Sequence, residues 1–332
     1  MSEGEFDLIR RYFSTAGKAS RAEVILSIGD DCALTKLQPH QTLAITTDTM
    51  VENSHFYPDI APYDLAYKAV ATNLSDLAAM GAEPAWISLA LTLPRVDSSW
   101  LSEFSRGLFD ILDRYNVALI GGDTTQGKLT TVTITAQGIL NQDYALRRDQ
   151  AQVGDFIYVS GTLGDGLAGF HLLRAMQQGE KRALDSDRDF LIRRNFHPQP
   201  RVELGLCLAR HRLANAAIDL SDGLGGDLGH ILARSRVSAE IDLDQLPLSE
   251  PLLRLYGREQ AELLGIQGGE DYELCFTVSP SRQAELDRHL AQLQVPYRRI
   301  GRILPAHSSP EITFIRGGKR LDIEVTGFEH FK

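Results

Sequence analysis

Cysteine, tryptophan and methionine are scarce: three, two and four in 332 residues, which leaves little room for redox chemistry or soft-metal clusters. Cys32, Cys207 and Cys275 are odd in number, far apart and free of any CxxC pair. That usage excludes a disulfide framework and reads each thiol as a small core residue in a reducing compartment. The first residues, Met1 to Phe6, show neither the basic nor the apolar stretch of a secretory leader, and no apolar run approaches bilayer length. A cytoplasmic chain without a membrane partner is expected. Basic residues are also short, 34 Lys and Arg against 44 Asp and Glu, for a formal charge of -10. Such a chain offers no nucleic-acid surface. A polyanionic substrate would have to arrive with its own cations.

What is present suits a globular chain of two domains, with 43% hydrophobic and 23% charged residues. Around Asn73-Leu74-Ser75-Asp76-Leu77-Ala78-Ala79-Met80-Gly81 the pattern predicts the second half of a helix beginning near Pro62. Tyr67, Val70, Leu74 and Leu77 form a buried stripe, and Gly81 and Pro84 end the run. Asp76 lies beside that stripe, with Asn73, among alanines. A buried carboxylate needs a partner.

The remaining pattern predicts strands over Thr42 to Thr49, Trp86 to Leu93, Val117 to Ile120 and Leu129 to Leu140, with a helix from Ser98 to Tyr115. A polar stretch, residues 141–150, separates a domain of residues 1–140 from one of residues 151–332. The second domain is expected to hold a strand at Phe156 to Ser160, helices through Asp185 to His211, a strand at Ala214 to Leu220, another helix to about Ser235, and a strand at Tyr272 to Val278.

Two phosphate-binding look-alikes fail on context. Gly122 to Lys128 approaches a P-loop, but Leu129 stands where a hydroxyl must bind magnesium, and a strand follows where a helix is required. Gly164-Asp165-Gly166-Leu167-Ala168-Gly169 matches GxGxxG, yet no strand with a ribose-binding acid follows about 20 residues later. It reads as a tight strand-to-helix turn.

The acids are the remaining signal: Asp30, Asp48, Asp76, Asp123, Asp219, Asp222 and Glu270, many flanked by apolar or glycine neighbours. Singly each has an ordinary explanation: a turn at Asp30, a strand end at Asp48, a solvated face at Asp76, a helix cap at Asp222, a loop charge at Glu270. Gathered together they would repel, by about 4 kcal/mol for a pair about 4 Å apart at an effective dielectric of about 20, against a domain stability of about 5 to 15 kcal/mol. They therefore either stay apart or converge on divalent cations. All-oxygen donors beside Thr46, Thr47, Thr124 and Thr125 favour Mg2+, which shares its coordination with phosphates. Glycines 121, 122, 268 and 269 could admit phosphate oxygens to the backbone, with Arg147 and Arg148 as countercharges.

Six ordered motifs then carry a family resemblance: Ile28-Gly29-Asp30-Asp31-Cys32-Ala33, Thr46-Thr47-Asp48, Asn73 to Gly81, Gly121-Gly122-Asp123-Thr124, Ile218-Asp219-Leu220-Ser221-Asp222-Gly223 and Gly268-Gly269-Glu270-Asp271-Tyr272-Glu273-Leu274. Together they resemble thiamine-monophosphate kinases, of the aminoimidazole ribonucleotide (AIR) synthetase-like superfamily. The resemblance implies an α/β N-terminal domain dimerising through its sheet, an α+β C-terminal domain, and ATP bound between them without a P-loop. It implies Mg2+ on Asp30, Thr46, Thr47, Asp48, Asp76, Asp123, Asp219 and Asp222, with Asp48, Asp76, Asp123 and Asp222 carrying the catalysis. ATP would meet Gly122, Asp123, Arg148 and Ser221. Thiamine monophosphate would meet His55, Glu270 and Phe328, although His55 by itself reads as structural. Asp31 and Asp271 receive no role. The implied reaction is direct transfer of the ATP γ-phosphoryl group to thiamine monophosphate by a homodimer. Other readings are a sister ATP-dependent enzyme, a two-metal phosphohydrolase, or a nucleotide sensor that never consumes ATP.

Overall fold

A computed structural model describes residues 5–14, 17–140, 144–180 and 185–323. It divides into two compact units. The first takes the chain to Leu77 and from Ala82 to Asp143; the second takes Ala78–Gly81 and everything from Tyr144. Among the described residues no helix is long and apolar enough to cross a membrane.

The first unit contains α1 (Glu5–Tyr12), β1 (Val24–Leu26), β2 (Leu34–Thr35), β3 (Thr42–Val51), α2 (Pro62–Ala79), β4 (Glu83–Leu93), α3 (Ser98–Arg114), β5 (Ala118–Gln126) and β6 (Thr131–Leu140). Its main sheet has the order β3-β6-β4-β5, and only the β4–β5 pair, joined through α3, is parallel. The Thr-Val-Thr-Ile-Thr alternation of β6 does what period two requires: Val132, Ile134 and Ala136 are buried, while Thr131, Thr133 and Thr135 remain partly exposed. Ile87, Leu89 and Leu91 of β4 pair with the buried set.

α2 buries Tyr67, Val70, Leu74 and Leu77, the predicted stripe. It ends at Gly81, at φ +69, where the Ala82 N–H reaches back to the Leu77 carbonyl at 2.9 Å. That six-to-one bond is a Schellman stop. α3 starts on Asp97, whose carboxylate accepts from the Ser99 and Trp100 N–H groups.

The second unit contains β7 (Phe156–Ser160), α4 (Asp165–Gln177), α5 (Ser186–Phe196), α6 (Val202–Arg210), β8 (Ala216–Asp219), α7 (Leu224–Ser235), β9 (Val237–Asp242), α8 (Glu250–Gln267), β10 (Leu274–Val278), α9 (Gln283–Leu290), β11 (Tyr297–Pro305), β12 (Ile312–Arg316) and β13 (Lys319–Leu321). Its sheet runs β13-β12-β9-β11-β7-β10-β8 and is antiparallel except between β9 and β12. Strand alternation feeds two cores. Ile157, Val159, Ile218 and Cys275 pack with Leu228 and Ile231 of α7, whereas Tyr158, Ala217 and Phe276 pack with Leu204, Leu208, Leu286 and Leu290 of α6 and α9.

Two elements differ from the sequence expectation. β5 runs on through the glycines to Gln126, so Asp123 sits within a strand and not just past its end. α8 was not foreseen; it begins on the Ser249 cap with Pro251 in its first turn, and the positive φ of Gly257 breaks the helical periodicity in its middle.

Candidate active site

In the first unit, the buried side of β3 faces α2. Thr46 and Asp48 share that side with Ala136 and Ile134, their partners on β6. The Thr46 hydroxyl donates to Asp76 Oδ2 at 2.5 Å. Burial pushes the Asp48 carboxyl up to about 6, the neighbouring Asp76 charge adds to the rise, and the Thr72 hydroxyl opposes it. One turn before Asp76 the fully buried Asn73 donates to the Ala69 carbonyl, and its own Oδ1 has no hydrogen-bond partner. Two neighbouring carboxylates and a hydroxyl form an all-oxygen donor set, with an orphaned buried amide oxygen one turn earlier on α2. That chemistry fits a hard divalent cation such as Mg2+.

The other first-unit candidates stand differently. Thr47 points to the opposite side of the sheet, where its hydroxyl meets that of Thr135 at 3.0 Å; adjacent strand residues cannot aim side chains at one point. A role at the Asp48–Asp76 pair would fall to the Thr47 carbonyl, not its hydroxyl. Asp30 is exposed in a turn whose Asp31 N–H bonds back to its carboxylate at 2.8 Å. Asp123 is exposed and pairs in register with Ala90, which sets it on the threonine side of the sheet. His55 accepts the Val51 N–H on Nδ1 at 3.1 Å, so its neutral ring carries the proton on Nε2 and can only donate there.

Glycine at position 122 is a matter of space. A Cβ would lie 1.9 Å from the Leu89 carbonyl oxygen across the parallel pair. Gly268 and Gly269 are likewise used against protein: added Cβ atoms would meet the Leu264 and Ser221 carbonyl oxygens at 2.1 and 2.2 Å. The protein's own backbone thus requires glycine at both positions, as it does at Gly122. Gly121, by contrast, has open space where its Cβ would be.

In the second unit, Asp219 ends β8 almost fully buried, and the loop Leu220-Ser221-Asp222 is clasped by the turn after α8. The Glu270 N–H donates to Ser221 O at 3.0 Å and the Tyr272 N–H to Leu220 O at 2.9 Å. Glu270 and Tyr272 hold positive φ angles of 72° and 51°, a conformation that non-glycine residues adopt at a cost. Asp222 donates its N–H to the carboxylate of Asp227 at 2.9 Å. Asp227, in the first turn of α7, is 3% exposed; burial first, then the Asp222 charge, pushes its carboxyl up to about 7, while Arg148 opposes the rise. The sequence marks Asp227 only weakly, as an acid five residues after Asp222 at a helix start. Arg148 is thus tied to this acidic loop, whereas Arg147 pairs with Asp149 at the surface.

Asp271 gains a role. Its carboxylate accepts the N–H groups of Gly164 and Gly166 at 2.6 and 2.9 Å, so it occupies the start of α4 from within the protein. The next residue but one, Glu273, is fully buried and held by Ser160, Arg194 and Arg201. Together they anchor the Glu270 turn on its C-terminal side. Phe328 lies outside the described residues.

Comparison with known proteins adds relatives to this geometry. Residues 29–140 match the family model "AIR synthase related protein, N-terminal domain", and residues 152–311 match its C-terminal counterpart. The chain is 55% identical to a thiamine-monophosphate kinase of Haemophilus influenzae, an alignment spanning 100% of this chain and 99% of that protein. The crystal structure of thiamine-monophosphate kinase from Stenotrophomonas maltophilia shares 43% identity at a TM-score of 0.81, covering 91% of this chain and 93% of the other. AaThiL complexed with AMPPCP and TMP shares 30% identity at a TM-score of 0.76, over 99% and 97% of the two chains.

Proposed function

The chain belongs to the thiamine-monophosphate kinase family, and from that premise we propose how its residues carry out the reaction. It is an ATP-dependent kinase that converts thiamine monophosphate to thiamine diphosphate. The observation that carries the chemistry is the Asp48–Asp76 pair, two carboxylates held close enough to repel, with a threonine hydroxyl fixing one of them.

Asp30, Thr46, Asp48 and Asp76 of the first unit, with the carbonyl of Thr47, and Asp219 and Asp222 of the second, are the proposed oxygen ligands of Mg2+; Asp123, on the opposite side of the sheet from Asp48 and Asp76, would serve a separate ion. Bound Mg2+ supplies positive charge that offsets the repulsion between the donor and acceptor phosphates. Gly122, Asp123, Arg148 and Ser221 are assigned to ATP. His55, Glu270 and Phe328 are assigned to thiamine monophosphate, His55 as a donor through Nε2. The acceptor is a phosphate, already ionised near neutral pH, so the chain need only align it in line with the γ-phosphoryl group and keep competing water away. No general base is required, which agrees with a His55 that cannot accept a proton on Nε2 in its neutral form.

The open side of the first unit's sheet supports a homodimer. Ile45 is 62% exposed there beside the Thr47–Thr135 and Thr49–Thr133 hydroxyl pairs. The three free cysteines support a cytoplasmic location.

The test is a product assay with ATP, Mg2+ and thiamine monophosphate, each omitted in turn. Thiamine diphosphate and ADP should form in equal amounts and only in the complete mixture. Inorganic phosphate released without the acceptor would make the protein a phosphohydrolase, and ATP binding without turnover would make it a sensor.

A further inference from the structure

We propose that Cys207, His211 and His289 form a second metal site, independent of the carboxylates, that takes a borderline divalent transition ion, Zn2+ foremost, and staples α6 to α9. Cys207 and His211 are four residues apart, so they rise from one face of α6 and its C-terminal cap. His289 comes from the last turn of α9. One ligand atom from each of the three lies within 4.8 Å of the others, and all three side chains are half-buried. The thiol therefore does not stand alone.

The donor chemistry selects the ion. One sulfur and two imidazole nitrogens suit Zn2+ or its neighbours and are poor ligands for Mg2+, which prefers oxygen. Tetrahedral Zn2+ with sulfur at about 2.3 Å and nitrogen at about 2.0 Å sets its donors about 3.3 to 3.5 Å apart. From within 4.8 Å the three atoms need to close by about 1 Å. The two imidazoles of His211 and His289 stack, centroids 3.9 Å apart and 22° from parallel. Parallel rings cannot aim both lone pairs at one point, so binding must turn at least one ring about its χ2 bond and open the stack. The helices themselves need not move, because Leu204, Leu208, Leu286 and Leu290 already pack in one core beneath the site. Water completes the coordination. Glu285, one turn before His289, is held by Arg282 at 2.8 Å.

Titration of the full-length protein with Co2+ tests the site, in excess Mg2+ so that the oxygen ligands are occupied. We expect one equivalent to give a near-ultraviolet sulfur-to-cobalt charge-transfer band with tetrahedral d–d absorption, both removed by one equivalent of Zn2+. Cys207→Ser should abolish the band, and His211→Gln or His289→Gln should weaken binding by about tenfold or more. Cys32→Ser, which removes the exposed thiol beside Asp30 and Asp31, should leave it intact. Circular dichroism confirms that each variant is folded. Should Cys207→Ser fail to fold, His289→Gln carries the test, since it removes a donor while leaving α6 unaltered. Absence of a thiolate band in the wild-type protein overturns the proposal, as does a band that survives Cys207→Ser or moves with Cys32→Ser.

Discussion

The hydroxyl of Thr46 donates to the carboxylate of Asp76 at 2.5 Å, tying β3 to α2, while the next residue along, Thr47, turns its hydroxyl to Thr135 on the opposite side of the sheet. Two adjacent threonines that look equivalent in sequence therefore have separable roles. Thr46→Val should raise the Mg2+ concentration needed for half-maximal activity by about tenfold, the worth of a hydrogen bond to a charged group. Thr47→Val should leave that requirement nearly unchanged. Activity measured against Mg2+ concentration for the two variants checks this, and equal losses would contradict it.

Asp48 gives metal-free stability an unusual pH slope. Its carboxyl is raised from 3.8 to about 6, so between those values the folded protein keeps a proton that the unfolded chain has released. Stability from this group is present at low pH and declines as pH rises through about 6. After discounting for partial exposure the effect should be about 1 to 2 kcal/mol. Urea denaturation in a chelator from acid to neutral pH should show a slope that Asp48→Asn removes. At neutral pH the same substitution should abolish turnover and leave the metal-free protein at least as stable as wild type.

Gly122→Ala tests the close approach of β5 to β4. Its Cβ would fall 1.9 Å from the Leu89 carbonyl, and rigid backbone cannot yield as a side chain can. A loss of about 2 to 3 kcal/mol is expected, together with weaker ATP binding. Thermal melting and nucleotide titration would detect both. Gly121→Ala, with open space at its Cβ, should be milder in stability.

Glu273→Ala leaves Arg194 and Arg201 without the buried carboxylate that holds them at 2.9 and 2.6 Å. Stranding buried charge typically costs about 3 to 5 kcal/mol. The variant should lose thiamine-monophosphate affinity as well, because the Glu270 turn would lose its anchor. Chemical denaturation and substrate titration separate the two effects.

The sequence is most informative where structure is set locally. The α2 stripe, the alternation of β6 and the stop at Gly81 were legible because each depends on local period or on one backbone angle. α8 was obscured when Gly257 interrupted its period. Asp123 could be picked out as a candidate, but its side of the sheet depends on the β4–β5 register, which includes a shift between Ile87 and Ser88. Asp227 and the closeness of Cys207 to His289 were hidden for a related reason: burial and through-space distance follow from packing between elements far apart in the chain. At Gly268 and Gly269 the sequence suggests a phosphate contact and the structure adds a second reason for glycine, since a small residue admits a neighbouring carbonyl as readily as a ligand.

The carboxylate of Asp271 on the Gly164 and Gly166 amides closes an evolutionary door. The first amides of α4 already donate to an oxygen acceptor built into the chain, so acquiring a basic residue nearby would not convert this glycine pattern into a dinucleotide cradle. Its resident tenant would have to be evicted first, and the Glu270 turn would be put at risk in the process.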